Sequence, residues 1–316
     1  MSPMRIILIG QAPFGAATLK ALLATGEEVA AVYTPPGKPG AKPDPLKEAA
    51  MAQAIRCFEP VTFKNDQVFS EFSGLQPDLV VLAFVTAIVP GRYLQAANKG
   101  AICYHPSILP RHRGASAINW ALMMGDKKTG LTVFWPDEGI DTGPILIQKE
   151  VNISDQDTAG SLYFERLFPM GVAAIVESVK LIRDGKAPRI AQNDSEATYE
   201  PPCDDRVANI DWKKPGRQIY NLIRGCDPQP GAYAGFRGEM VRFYGARFVP
   251  GKIAGDIGAA PGMVTGLDLN GLRIAVKGGE LLVAKIRTAS AGKVDATEWA
   301  AAAKVEPSEK FGKFPK

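Results

Sequence analysis

Short runs of Ile, Val and Leu with no polar alternation, set between segments of helical periodicity, constrain this chain more than any other feature. Residues 5–9, 28–33 and 79–84 are such runs, and 16–24 and 45–54 are helix-like segments between them. A strand that is apolar throughout must be buried on both faces, so the first 200 residues are expected to form an α/β domain with a mainly parallel sheet. The run 100–105 belongs at or near its centre. Residues 10–15, Gly-Gln-Ala-Pro-Phe-Gly, match neither G-x-G-x-x-G nor a Walker loop and read as a tight strand-to-helix turn. The Pro/Gly-dense loop 35–43 should be exposed and mobile. Residues 159–184 read as one or two helices closing this domain, and 192–205, with Pro201-Pro202, as a linker. A helix over 215–224 and short strands over 231–249, 262–267, 272–276 and 280–288 then predict a small β-rich domain, 206–316, of barrel type. The tail from Lys304 is expected to be disordered or loosely docked.

With 316 residues, 46% of them hydrophobic, the chain is long enough for two cores. No stretch approaches 18 apolar residues, and the run 6–9 is too short for a signal segment, which predicts a cytoplasmic protein without membrane association. Cys57, Cys103, Cys203 and Cys226 form no C-x-x-C pair, so free thiols are expected and no metal. A net charge of +4 falls short of a dedicated nucleic-acid binder and suits an anionic small substrate equally well. Oligomeric state is not written in the sequence.

Only two histidines are present, and His105 opens the run His105-Pro106-Ser107-Ile108-Leu109-Pro110-Arg111-His112-Arg113-Gly114 at the end of a strand-like stretch. Asp141 follows 36 residues later in Asp137-Glu138-Gly139-Ile140-Asp141-Thr142-Gly143, after another strand-like run. One histidine and one carboxylate, each on a loop after a strand, are what a proton-transfer site needs.

These two motifs, in this order and at this distance, resemble the signature of the folate-dependent formyltransferases. Members include methionyl-tRNA formyltransferase and the N-terminal hydrolase domain of 10-formyltetrahydrofolate dehydrogenase. The likeness to the hydrolase domain is the closer, through Tyr104-His105-Pro106-Ser107, residues 111–120, Gly125-Asp126-Lys127-Lys128 and Gly185-Lys186-Ala187-Pro188-Arg189. It extends over essentially the whole chain. The resemblance implies a Rossmann-like N-terminal domain that takes 10-formyltetrahydrofolate as formyl donor, followed by a domain resembling an OB barrel. It also implies that His105 and Asp141 carry the catalysis.

The chemistry of the residues agrees. Moving a formyl group from N10 needs a nucleophile deprotonated as it attacks and a leaving nitrogen protonated as it departs, and a His–Asp pair serves both ends. Ser107 either orients the imidazole or is a turn residue. By family position, Ala87, Ile88 and Val89, together with Ile108, Leu109, Pro110, Asp137, Glu138 and Gly139, are the candidates for holding the folate; read without the resemblance, the apolar ones are core and loop residues. Asp137 and Glu138 make a poor metal pair. Arg111 and Arg113 pair with carboxylates, hold the acceptor, or pack.

One departure stands out. Transferases of the family carry an asparagine two positions before the histidine, where its amide binds the oxyanion, and this chain has Cys103. Residues i and i+2 of a strand share a face, so Cys103 should lie beside His105. A thiol is a weak donor, and one lost oxyanion donor costs roughly 3 kcal/mol of transition-state stabilisation. The hydrolase domain also lacks that asparagine. Cys103 is otherwise a nucleophile activated by His105, or a small packing residue. Three functions follow as expectations. The first is a stand-alone 10-formyltetrahydrofolate hydrolase, which is preferred. The second is a formyltransferase to an amino sugar or to methionyl-tRNA, which Asp227-Pro228-Gln229-Pro230-Gly231 supports and the short loop 38–46 opposes. The third is a folate-binding protein without turnover.

Overall fold

The structure is a computed structural model that describes residues 2–251 and 259–315. Two compact units emerge: one comprises Met1–Ala115, Gly130–Val151 and Phe164–Tyr199, the other Ser116–Thr129, Asn152–Tyr163 and Glu200–Lys316.

The first sheet contains β1 (Arg5–Gly10), β2 (Glu28–Tyr33), β3 (Arg56–Phe58), β4 (Leu79–Ala83), β5 (Ala101–His105), β6 (Lys128–Phe134) and β7 (Ile145–Asn152), in the order β3-β2-β1-β4-β5-β6-β7. The pairs from β3 through β5 are parallel, and β6 runs antiparallel to β5. Strand order reverses between β1 and β4, so the carboxyl ends of these strands flank the crevice where open α/β sheets bind ligands.

Double-sided burial is visible residue by residue. On one face Ile6, Leu8, Leu79, Val81, Ile102 and Tyr104 pack with Phe14, Leu19 and Leu22 of the helix Ala12–Ala24 and with Ala174, Ile175, Val179 and Ile182 of the helix Phe168–Arg183. On the other, Ile7, Ile9, Val80, Leu82 and Cys103 pack with Phe72 and Tyr93. Each large side chain moved from water into such a core contributes about 1.5–3 kcal/mol. Tyr104 stacks on Phe14 with ring centroids 4.4 Å apart, and a methyl group on Gly171 would stand 2.6 Å from its ring. Glycine at 171 is what lets the helix approach this strand.

Local capping agrees with the tertiary frame. Asp44 accepts from Leu46 N to start the helix Pro45–Ala52, and Asn65 accepts from Gln67 N to start Asp66–Gly74, each cap contributing about 1 kcal/mol. The Asp44 carboxylate also accepts from Ala12 N at 2.9 Å. The turn after β1 thus spends that N–H within the protein, as a strand-to-helix turn does. Residues 159–184 are helical in two modes, a π-helical turn at Leu162–Leu167 running into Phe168–Arg183. Loop 35–43 is exposed throughout.

In the second unit β8 (Ala232–Phe236), β9 (Glu239–Pro250), β10 (Val264–Asp268), β11 (Gly271–Val276), β12 (Gly279–Arg287) and β13 (Val294–Asp295) form an antiparallel sheet in the order β10-β11-β12-β9-β8, with β13 on β12. Its core gathers Trp212, Phe236, Phe243 and the helix residues Ile219 and Ile223.

Two expectations need correction. The tail from Lys304 is docked: Phe311 is fully buried among Trp212, Phe236, Phe243 and Trp299, and Gly312 exchanges both backbone hydrogen bonds with Gly235. Lys and Pro dominate the segment's composition, but one aromatic ring in an aromatic pocket outweighs them. The polar stretch read as a linker is likewise pinned over part of its length, with Tyr199 bridged to Arg113 and Arg113 N donating to Thr198 O. All four cysteines are free thiols. Among the described residues no helix is long and apolar enough to cross a membrane.

Candidate active site

Strand β5 alternates its side chains so that Ile102 and Tyr104 enter one core while Cys103 lies on the opposite face, and it ends at His105. The imidazole is almost fully buried. Its Nε2 lies 2.7 Å from the His112 carbonyl oxygen. A carbonyl only accepts, so Nε2 carries the hydrogen and Nδ1 is the atom turned toward Asp141. Nδ1 and Asp141 Oδ2 are 3.5 Å apart. That is longer than a good charge-assisted hydrogen bond, which spans about 2.7–2.9 Å, so the two groups face each other without being tied together.

Asp141 is held from both ends. Its carboxylate accepts from Gly114 N at 2.8 Å, and its backbone oxygen accepts from Gln192 Nε2 at 2.9 Å. Both Asp141 and His112 have φ of +57°. Non-glycine residues in the left-handed region each cost of order 1 kcal/mol or more, and persist where the surroundings over-determine them. Close approach shapes the same loop: a methyl on Gly143 would stand 1.8 Å from the Trp135 carbonyl oxygen, so this position admits no side chain.

Cys103 is partly exposed at the surface of the second core and close enough to Asp141 to feel its charge. Burial, then that carboxylate, push its thiol pKa well above the usual range. The group is therefore a neutral thiol at neutral pH, and its Sγ–H points to the Tyr104 carbonyl at 3.7 Å. Ser107 donates to Arg111 O at 2.6 Å while Thr132 Oγ1 donates to Ser107 O at 2.7 Å. Its hydroxyl closes the turn 107–111, and the imidazole is oriented by the His112 carbonyl.

The remaining candidates divide. Ala87 and Ile88 line a cavity of about 460 Å³ at the carboxyl ends of β1, β2 and β4, together with Gln11, Thr34, Lys64 and Phe84. Tyr33 and Thr34 also line it, and their buried hydroxyls have no hydrogen-bond partner among the described residues. Val89 packs against the core beneath. Leu109 and Pro110 are buried and Ile108 half-buried; Leu109 N donates to Thr132 Oγ1 and its oxygen accepts from Gln148 Nε2. Asp137, Glu138 and Gly139 are exposed, with the Asp137 carboxylate accepting from Gly139 N and Thr142 Oγ1. Among the described residues no three His, Cys, Asp or Glu side chains converge as a metal-binding group.

Sequence reasoning named Arg113 as a carboxylate partner but left out the residues that it joins. Arg113 is buried and spreads its guanidinium over Gln192 Oε1 (2.8 Å), Asp194 Oδ1 (2.7 Å) and Tyr199 OH (2.5 Å). His112 N donates to Thr198 Oγ1 at 2.8 Å. These partners lie 79 to 86 residues from the loop they support, a separation that no local pattern announces.

Comparison with known proteins bears on this arrangement. The model of the family described as Formyl transferase matches residues 4–179, and that of Formyl transferase, C-terminal domain, matches residues 204–304. The mitochondrial 10-formyltetrahydrofolate dehydrogenase of Mus musculus is 42% identical over 293 residues, 89% of this chain and 31% of that protein. The chain thus spans about a third of that relative's length. Methionyl-tRNA formyltransferase of Alkaliphilus oremlandii (strain OhILAs) is 36% identical over 79% of this chain and 84% of its own. HypX from Aquifex aeolicus, solved in complex with tetrahydrofolic acid, shares the fold at a TM-score of 0.69 and 18% identity, over 98% of this chain and 49% of that one. Matches to both family models, along with a relative covered over most of its length, show that this chain belongs to the formyl transferase family.

Proposed function

We propose that the protein takes 10-formyltetrahydrofolate as donor and hydrolyses it to tetrahydrofolate and formate, with residues 1–200 as the catalytic domain and 206–316 as an OB-like companion. The observation that carries this reading is the spacing of His105 Nδ1 and Asp141 Oδ2 at 3.5 Å at the end of β5, beside a neutral Cys103. A water held by the Asp141 carboxylate attacks the formyl carbon. His105 Nδ1 relays a proton from the attacking water to N10 as the C–N10 bond breaks. Formate leaves with the oxygen from water.

The folate lies along the carboxyl edge of the sheet, its apolar contacts from Ala87, Ile88, Val89, Ile108, Leu109 and Pro110 and its polar rim from the exposed Asp137, Glu138 and Gly139. The cavity lined by Ala87 and Ile88 suits it, because apolar walls there are joined by the polar side chains of Gln11 and Lys64. Hydrolysis is preferred to transfer for two reasons: identity to the dehydrogenase relatives is higher than to the tRNA enzyme, and position 103 carries a cysteine where the transferases of the family carry an asparagine that the hydrolase domain also lacks. Ser107 acts through the turn that presents Arg111 and His112. A cytoplasmic location accompanies this reading.

Formate and tetrahydrofolate are to be followed with purified protein, first without acceptor and then with methionyl-tRNA or an amino sugar. Formate release without acceptor is the expected result. Product only in the presence of one acceptor would replace hydrolase by transferase, and no product with intact folate binding would make this a folate-binding protein. A further variant tests Cys103 as nucleophile. Cys103→Ala is expected to keep formate release within about threefold of the parent, whereas loss of a covalent nucleophile removes several orders of magnitude. A drop beyond a hundredfold in the folded variant would restore the covalent route.

A further inference from the structure

We infer that Gln192 is a positioning residue that sets the separation of His105 and Asp141 by clamping the Asp141 loop to the His112 loop; this rests on the catalytic reading above. The amide orientation is dictated by its neighbours. Its nitrogen faces two carbonyl oxygens, Asp141 O at 2.9 Å and Gly143 O at 2.7 Å, which only accept, and its oxygen faces Arg113 Nη2 at 2.8 Å and Nε at 3.3 Å, which only donate. Glutamine alone offers two donors and an acceptor at that reach.

The clamp closes into a ring. Arg113 N donates to Thr198 O and His112 N to Thr198 Oγ1, so the segment carrying Gln192 also grips the residue whose carbonyl holds His105 Nε2. Gly114 N, next to Arg113, reaches Asp141 Oδ2. One hydrogen-bonded route from His105 to the Asp141 backbone therefore runs from the His112 carbonyl through Arg113 to Gln192 and on to Asp141 O. Asp141 and His112, whose carbonyl holds the imidazole, are left-handed residues that relax when released.

Gln192→Glu is the sharp variant, because it keeps the shape and the Arg113 contact while setting a carboxylate oxygen against two carbonyls. It is expected to lower kcat ten- to a hundredfold with KM within about twofold, and to leave the unfolding midpoint close to that of the parent. Added to Asp141→Asn it should cost nothing further, since it acts only through Asp141. Hydrogen exchange at the amides of residues 139–143 should rise at least tenfold in Gln192→Glu and Gln192→Ala, with exchange in β1 and β4 unchanged. An additive double variant, or a KM effect without a kcat effect, would overturn the inference. So would unchanged exchange at 139–143. Exchange is read without turnover, so a parent enzyme that leaves 10-formyltetrahydrofolate intact would sink the catalytic reading while the clamp is still decided.

Discussion

Asp141→Asn is expected to release formate roughly a thousandfold more slowly than the parent, the range set by loss of a positioned acid–base group. The substitution is isosteric, yet it removes the charge that faces His105 Nδ1, and it can turn an NH2 toward Gly114 N, where a carboxylate oxygen now accepts at 2.8 Å. Donor would then meet donor. Single-turnover measurement with 10-formyltetrahydrofolate separates the chemical step from product release, and folate binding followed by tryptophan fluorescence should change by less than about threefold. Formate release within tenfold of the parent would remove Asp141 from the chemistry.

Phe311→Ala is expected to destabilise the second unit by about 3–5 kcal/mol, the usual cost of deleting a fully buried aromatic ring. The ring is inaccessible to solvent and lies against Phe236 at 4.7 Å and Phe243 at 5.1 Å between centroids, with Trp212 and Trp299 beyond. Those two indoles make the change directly readable, since urea unfolding followed by tryptophan fluorescence reports on this core. A loss below 1 kcal/mol would show that the tail contributes little and that its docking is incidental.

What the sequence made legible follows from how local each signal is. The apolar runs of β1, β2 and β4 announce themselves because every residue is buried, and β5 announces itself by ending in one of only two histidines. Asp141 is legible for the same reason, as an acid in a glycine-flanked turn after a strand. Gln192 and Thr198 are not, because a polar residue whose partners are loop carbonyls far away in the chain looks like any linker residue. Phe311 was hidden differently: its neighbours in sequence are Lys310 and Gly312, and only the aromatic pocket assembled by distant strands gives the ring a place. For Ser107 two local hydrogen bonds compete that spacing alone does not rank, and the Arg111 carbonyl accepts the one its hydroxyl donates.

The fit of Tyr104 against Gly171 has a consequence for where His105 emerges. Both faces of this sheet are apolar, so hydrophobicity alone does little to stop a strand such as β5 from sliding by one residue, which would send each side chain to the opposite side. Shape supplies what polarity does not: the tyrosine ring has room only where the helix opposite carries no side chain. A residue that meets no substrate thus indexes the strand whose last position is His105. Positions 104 and 171 should therefore drift together over evolutionary time, a bulkier residue at 171 being tolerated only beside a smaller one at 104, and a mismatch between them should displace the imidazole before it unfolds the domain.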